Sequence, residues 1–228
     1  MNKRILWHIL PFMLLSLQLL PIGNGAVYAH TDNSKREPFK LQSSATLKRM
    51  LENPTRTKRQ QPDRVISSFK VKKGDAVADI GAGVGFHSFR LADKVGAEGK
   101  VYAVEIQDKL LDVIHEKMKK NEVKNIVLVK SSESEPNLPP DSCDKILVAN
   151  TYYYLHDPVK FMSNMRKALK ADGRVAIIDL DASKTDKSRQ KILSTNKITD
   201  EMKQAGFKLI ESYDYLDKRF FLVFGAAE

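Results

Sequence analysis

The chain has 228 residues, 42% hydrophobic and 29% charged, which are ordinary globular values and make one domain with a sizeable core the default. Cys143 is the single cysteine, which excludes an intrachain disulfide and a cysteine-based zinc site. The formal charge is +10, and it falls to +8 without residues 1–29, which hold Lys3 and Arg4 and no acid; clusters such as Lys117, Lys119, Lys120 and Lys124 carry no interleaved aromatics, so they fit a solvated basic surface better than a nucleic-acid platform.

Residues 1–29 differ from the rest. Met1 to Arg4 is basic, Ile5 to Ile22 is apolar apart from His8, Ser16 and Gln18, and Val27 and Ala29 put small residues where a signal peptidase reads. The expectation is an export signal cut after Ala29; the rival is an uncleaved membrane anchor, since the apolar run is barely long enough to span a bilayer. Pro11 and Pro21 argue against a continuous soluble helix. Residues 30–59 form a polar, basic connector with one short amphipathic piece, Leu41 to Leu51, and residues 60–228 form the folded domain.

From Pro62 the pattern alternates between strands and helices. Ala76 to Ile80, Lys100 to Ile106, Asn125 to Lys130, Lys145 to Asn150 and Arg174 to Leu180 are short runs rich in Val and Ile. Between them, Asp108 to Lys120 places Leu110, Leu111, Ile114 and Met118 on one helical face behind Asp108 as a cap. A second helix starts at Pro158 with Asp157 as N-cap, carries Val159, Met162, Met165 and Leu169 as its stripe, and stops at Gly173. A last helix over Thr199 to Ala205 precedes two strands, Phe207 to Tyr215 and Arg219 to Phe224, joined at Asp217-Lys218. This predicts an α/β, Rossmann-like three-layer sandwich with a mostly parallel sheet and a C-terminal antiparallel hairpin.

The stretch VADIGAGVGFHS lies between the first strand and the first helix, where an open α/β sheet binds ligands at the carboxyl ends of its strands. Gly81, Gly83 and Gly85 allow a tight turn and close approach to the main chain. A dinucleotide fingerprint needs a glycine where Phe86 stands, and a Walker loop needs Gly-Lys-Ser/Thr. What remains is G-x-G-x-G preceded by Asp79 and followed, at the end of the next strand, by Glu105. One carboxylate suits ribose hydroxyls and the other a cationic amino group, which together match S-adenosylmethionine, a nucleoside carrying an amino acid and no phosphate.

VADIGAGVGFHS, VYAVEIQ, LPPDSCDKILVAN and LKADGRVAIIDLD, in that order, resemble the successive motifs of class I S-adenosylmethionine-dependent methyltransferases over about residues 60–224. Within that family the chain is most similar to small bacterial enzymes related to the ubiquinone/menaquinone-biosynthesis group. The resemblance implies a seven-stranded sheet whose last strand is antiparallel. It also implies that Asp79 and the loop Gly81, Ala82, Gly83 and Gly85 hold the methionine end, and Glu105 the ribose. Ile106 would lie on one face of the adenine, Ser132 or Glu133 at its edge, and Asn150 beside the methyl group.

The implied reaction is in-line attack of a nucleophile on a sulfonium methyl, for which the protein supplies alignment, desolvation and removal of a proton. Where relatives in the resembled group carry a His-His pair this chain has Tyr153 and Tyr154, so Tyr153 and His156 are the candidates for that last role, against aromatic packing at a strand end. A single cysteine disfavours arsenite methylation. The expected acceptor is a small molecule, with no nucleic-acid partner; an exported nucleoside-binding or inactive protein of the same fold is the alternative, because S-adenosylmethionine is made in the cytosol. Lys3 and Arg4 hold the N-terminus in the cytosol and send the body of the chain across the membrane, and a mature chain beginning at His30 is expected outside it.

Overall fold

The computed structural model describes residue 53 and residues 55–184 and 193–227. Residues 1–29, expected to be an export signal, most of the connector and part of the polar stretch after residue 181 lie outside the described residues. Among the described residues no helix is long and apolar enough to cross a membrane.

Seven strands form one sheet: β1 (Ala76–Ile80), β2 (Lys100–Glu105), β3 (Ile126–Lys130), β4 (Cys143–Ala149), β5 (Leu169–Leu180), β6 (Phe207–Tyr213) and β7 (Arg219–Ala226). Their order is β3-β2-β1-β4-β5-β7-β6; the first five run parallel, and β7 is antiparallel to both β5 and β6. The expected fold is observed. The strand order reverses between β1 and β4, the switch point at which such sheets bind ligands.

Helices cover both faces, which explains why the central strands β1, β2 and β4 are buried along nearly their whole length rather than alternating. Ala78 and Ile80 of β1 join Ile146, Val148, Val175 and Ile177 in one core, beneath α5 (Pro158–Arg166) and α6 (Thr195–Gln204). Val77 joins Leu147, Ala176 and Val223 in the other, beneath α2 (Pro62–Ser68), α3 (Ser88–Val95) and α4 (Asp108–Lys120). A short helix α1 (Thr55–Gln60) precedes α2, within what the sequence suggests is a connector. Tyr213 and Tyr215 anchor this N-terminal piece: their hydroxyls donate to the Ser68 carbonyl (3.0 Å) and Ser68 Oγ (3.1 Å), and Arg64 stacks 3.8 Å above the Tyr215 ring.

Three boundaries differ from expectation for physical reasons. Asp157 caps α5 as expected, its carboxylate accepting from the Lys160 N–H at 3.0 Å, but the helix ends at Arg166 and Leu169 already belongs to β5. The register jumps there, Cys143 facing Leu169 and Lys145 facing Arg174, so Lys170 to Gly173 bulge out of the strand. Gly173 is needed because a Cβ would lie 2.6 Å from Leu169, so it serves a strand bulge and not a helix stop. Helix α6 starts at Thr195, capped by Ser194 Oγ accepting from the Lys197 N–H at 3.2 Å. Asp108 is the first residue of α4, after Gln107, and not its cap.

Candidate functional site

The central strand β1 delivers Asp79 and then the glycine loop to the carboxyl edge of the sheet. Pairing Asp79 with Ala103 and Leu147 puts that edge between β2 and β4. Asp79 is 2% exposed and accepts from Ser88 Oγ at 2.6 Å. Burial pushes its carboxyl up to about 6, against the opposing effects of the Ser88 hydroxyl and the Arg56 guanidinium.

All three loop glycines have positive φ, 70°, 61° and 82° for Gly81, Gly83 and Gly85. Two of them also make room for protein. A Cβ on Gly81 would collide with the Thr151 side chain, and one on Gly85 would lie 2.6 Å from Phe89. The loop's amides are largely engaged within the chain: Gly81 and Ala82 donate to the Val104 carbonyl (2.8 and 3.0 Å), Gly85 to the Ala82 carbonyl (2.9 Å), and Gly83 to Glu105 Oε2 (2.9 Å). A loop so bonded is not the row of inward amides that cradles a pyrophosphate.

Glu105 is 5% exposed, and its Oε1 accepts from the Ile106 (2.8 Å) and Gln107 (3.0 Å) amides. Burial raises its pKa while the three amide donors oppose that. A carboxylate offers about four acceptor positions. With three amides bound, Glu105 fastens the loop to the end of β2 and retains one position on Oε2 for a ligand hydroxyl. Ile106, next along, is 43% exposed, an apolar side chain open at a strand end.

The Ser131 amide donates to the Glu105 carbonyl at 3.1 Å, bringing the start of the loop after β3 to this edge. Ser132 Oγ closes its own turn by accepting from the Ser134 and Glu135 amides (3.4 and 3.0 Å), and Glu133 is exposed. Asn150 follows β4 with φ of 57°, its amide N–H donating to the Ile178 carbonyl at 2.7 Å. Its side-chain Oδ1 accepts from Arg219 Nε at 3.4 Å, while Nδ2 is a buried donor without a hydrogen-bond partner. Tyr153 is half-buried, donates its amide N–H to Asp179 Oδ2 at 3.3 Å and meets Tyr154 edge-to-face at 5.2 Å; His156 is exposed.

Four further residues at this edge are not among the predicted site residues: Arg56 and Arg219 lie outside the sequence motifs, whereas His87 and Asp179 lie within them. Arg56 comes from α1, its guanidinium 4.0 Å from the Phe86 ring centroid, and burial lowers its pKa to about 10. Arg219 begins β7 opposite Leu180. Asp179, buried at the end of β5, has its pKa raised by burial. His87, 4% exposed, has neither ring nitrogen hydrogen-bonded, and burial with the Arg56 and Arg90 charges lowers its pKa to about 3. The H-S pair in VGFHS is a visible signal for His87; nothing local in the sequence marks Arg56 or Arg219.

The sequence matches the family described as a methyltransferase domain over residues 71–215. The chain belongs to the methyltransferase-domain family. The methyltransferase is similar to a demethylmenaquinone methyltransferase of Listeria welshimeri, 28% identical over 110 residues, covering 48% of this chain and 47% of the relative. It is also similar to the ubiquinone/menaquinone biosynthesis C-methyltransferase UbiE of a Marinomonas species, 30% identical over 115 residues, covering 50% and 46%. The methyltransferase thus spans about half the length of these curated relatives. Among solved structures, a SAM-dependent methyltransferase from Aquifex aeolicus is 28% identical, with a TM-score of 0.74 over 81% of this chain and 98% of that one. S-adenosylmethionine is therefore the expected cofactor of this methyltransferase. The buried carboxylates at the ends of β1 and β2, and a glycine loop whose amides are turned to the protein rather than to a phosphate, fit that molecule.

Proposed function

We propose that the chain transfers the methyl group of S-adenosylmethionine to a small-molecule acceptor. The observation that carries this reading is the pair of buried carboxylates, Asp79 and Glu105, at the ends of adjacent parallel strands with the glycine loop between them. The names of the quinone-methylating relatives support a small acceptor, across the half of their length that this chain matches.

The cofactor supplies a methyl group on a sulfonium that is itself a good leaving group. The chain's residues do the rest by binding and alignment. Asp79 receives the methionyl ammonium, its desolvated carboxylate gaining a counter-charge. Glu105 accepts a ribose hydroxyl through the remaining position on Oε2, and Ile106 offers an apolar face to the base. Ser132 has its hydroxyl committed to its own turn, so Glu133 is the better of the two candidates for the adenine edge. Asn150 and Tyr153 border the reacting group, Tyr153 orienting the acceptor, and a proton released by the acceptor passes to Asp179, His156 or water.

Incubating the full-chain protein with methyl-labelled S-adenosylmethionine and a low-molecular-mass extract of its host tests this. Label moving into the extract, dependent on Asp79, supports the reading. Label moving only into protein or nucleic acid refutes the small-molecule acceptor.

A further inference from the structure

Two arginines stand at the carboxyl edge beyond Asn150, among its buried carboxylates. Arg219 starts β7 and reaches Asn150 Oδ1 at 3.4 Å. Arg56 belongs to the short helix α1 and is held against Phe86 of the glycine loop. Arg219 and Arg56 sense one another electrostatically: after burial, the charge of Arg219 helps depress the pKa of Arg56.

The carboxylates nearby do not cancel this charge once the methyl donor is bound. Asp79 is then matched by an ammonium, and the donor brings a sulfonium of its own. Asp179 faces Arg219 and opposes one guanidinium, and exposed Asp217 adds a weaker effect. A second observation is independent of charge. Asn150 Nδ2 is a buried donor lacking an acceptor in the protein, on the very amide whose oxygen Arg219 engages. A buried unsatisfied donor at a left-handed strand end is a feature a ligand acceptor atom would relieve.

Resting on the methyltransferase reading, we propose that the methyl acceptor carries an oxyanion, a carboxylate or a phosphate, held by Arg219 together with the Asn150 amide, with Arg56 adding positive charge from the side of the glycine loop. Arg56 and Arg219 lie outside the residues matched to the family. Guanidinium forks match both oxyanions. Tyr153 and Tyr154 at the same strand end suit an aromatic body on the acceptor.

The test is calorimetric titration of the full-chain protein, loaded with S-adenosylhomocysteine, with benzoate, phenyl phosphate and neutral methyl benzoate. At least one anion binds about ten-fold more tightly than the ester, and Arg219→Gln, which can still donate to Asn150, removes that margin while leaving nucleoside affinity within about two-fold. The tighter anion identifies carboxylate or phosphate as the source. Equal binding of ester and anions, no anion binding, or an anion preference that survives Arg219→Gln overturns the proposal. The nucleoside titration is done first and the anions are repeated without it. Loss of nucleoside binding thus refutes the cofactor pocket separately, while the Arg219 comparison still decides the acceptor.

Discussion

Replacing Asp79 by Asn separates binding from stability, because the two change in opposite directions. The amide has the carboxylate's shape and still accepts from Ser88 Oγ, which donates to Asp79 Oδ2 at 2.6 Å. What it loses is a charge that burial holds near a pKa of about 6, against an ordinary 3.8. The native state binds the proton more tightly than the unfolded chain, so this group's penalty grows as pH rises from about 4 to 6 and is complete above that range. At about 1.4 kcal/mol per pH unit, removing the charge stabilises the fold at pH 8 by on the order of 3 kcal/mol, raising Tm by roughly 2–4 °C for each kcal/mol. Binding moves the other way. Losing a charge-assisted contact to the methionyl ammonium costs about 1.5–3 kcal/mol, roughly ten- to hundred-fold in Kd. In the native sequence S-adenosylhomocysteine affinity falls about ten-fold per pH unit below 6, and in Asp79→Asn that slope disappears. Thermal melts and calorimetry across pH 5–8 read both effects. A variant that binds as tightly as the native protein, or a native profile flat through pH 6, refutes Asp79 as the ammonium acceptor.

Glu105→Gln puts an NH2 against either Gly83 N–H or the Ile106 and Gln107 amides, so Kd rises roughly ten- to hundred-fold and Tm also falls; unchanged affinity in a folded variant returns Glu105 to a strand-end residue. His87, lowered to about 3 by burial and by Arg56 and Arg90, is neutral when folded and takes up a proton on unfolding below about pH 6.5. This group's contribution to stability is therefore lost as pH falls from there at about 1.4 kcal/mol per unit, opposing the gain from Asp79 between about pH 6 and 4, so acidification over that range stabilises His87→Phe more than the native protein in acid-titrated melts; identical profiles contradict the burial of a neutral imidazole. For residues 1–29 we propose export: N-terminal sequencing from the native host finds His30 first in the soluble exported fraction, and an intact Met1 in the membrane fraction favours the anchor instead.

The sheet and the cofactor edge are legible because both are written in local pattern. Runs such as AVADI and KILVA are apolar on both faces because helices cover both faces, and G-A-G-V-G marks the turn between β1 and α3. The Leu169 boundary is not legible, since a bulge fed by Lys170 to Gly173 has the composition of a helix end. Ser194 is a usable cap signal for α6, four residues ahead of the apolar residue Ile198. Glu105's second task is invisible in sequence: the spacing to the glycines gives the strand end, but only the folded loop shows Gly83 N–H occupying one of its acceptor positions. Arg56 and Arg219 stand 163 positions apart and reach the same sheet edge only through the placement of α1 and the turn into β7.

Whether the pocket takes a nucleoside without a phosphate cradle is decided by calorimetric titration of the full-chain protein with S-adenosylhomocysteine, with competition by S-adenosylmethionine, NADH and ATP. One site is expected, with displacement by S-adenosylmethionine and none by NADH or ATP, because the Gly81, Ala82, Gly83 and Gly85 amides are already bonded within the protein. Absence of nucleoside binding, or displacement by NADH or ATP at comparable concentration, would contradict it.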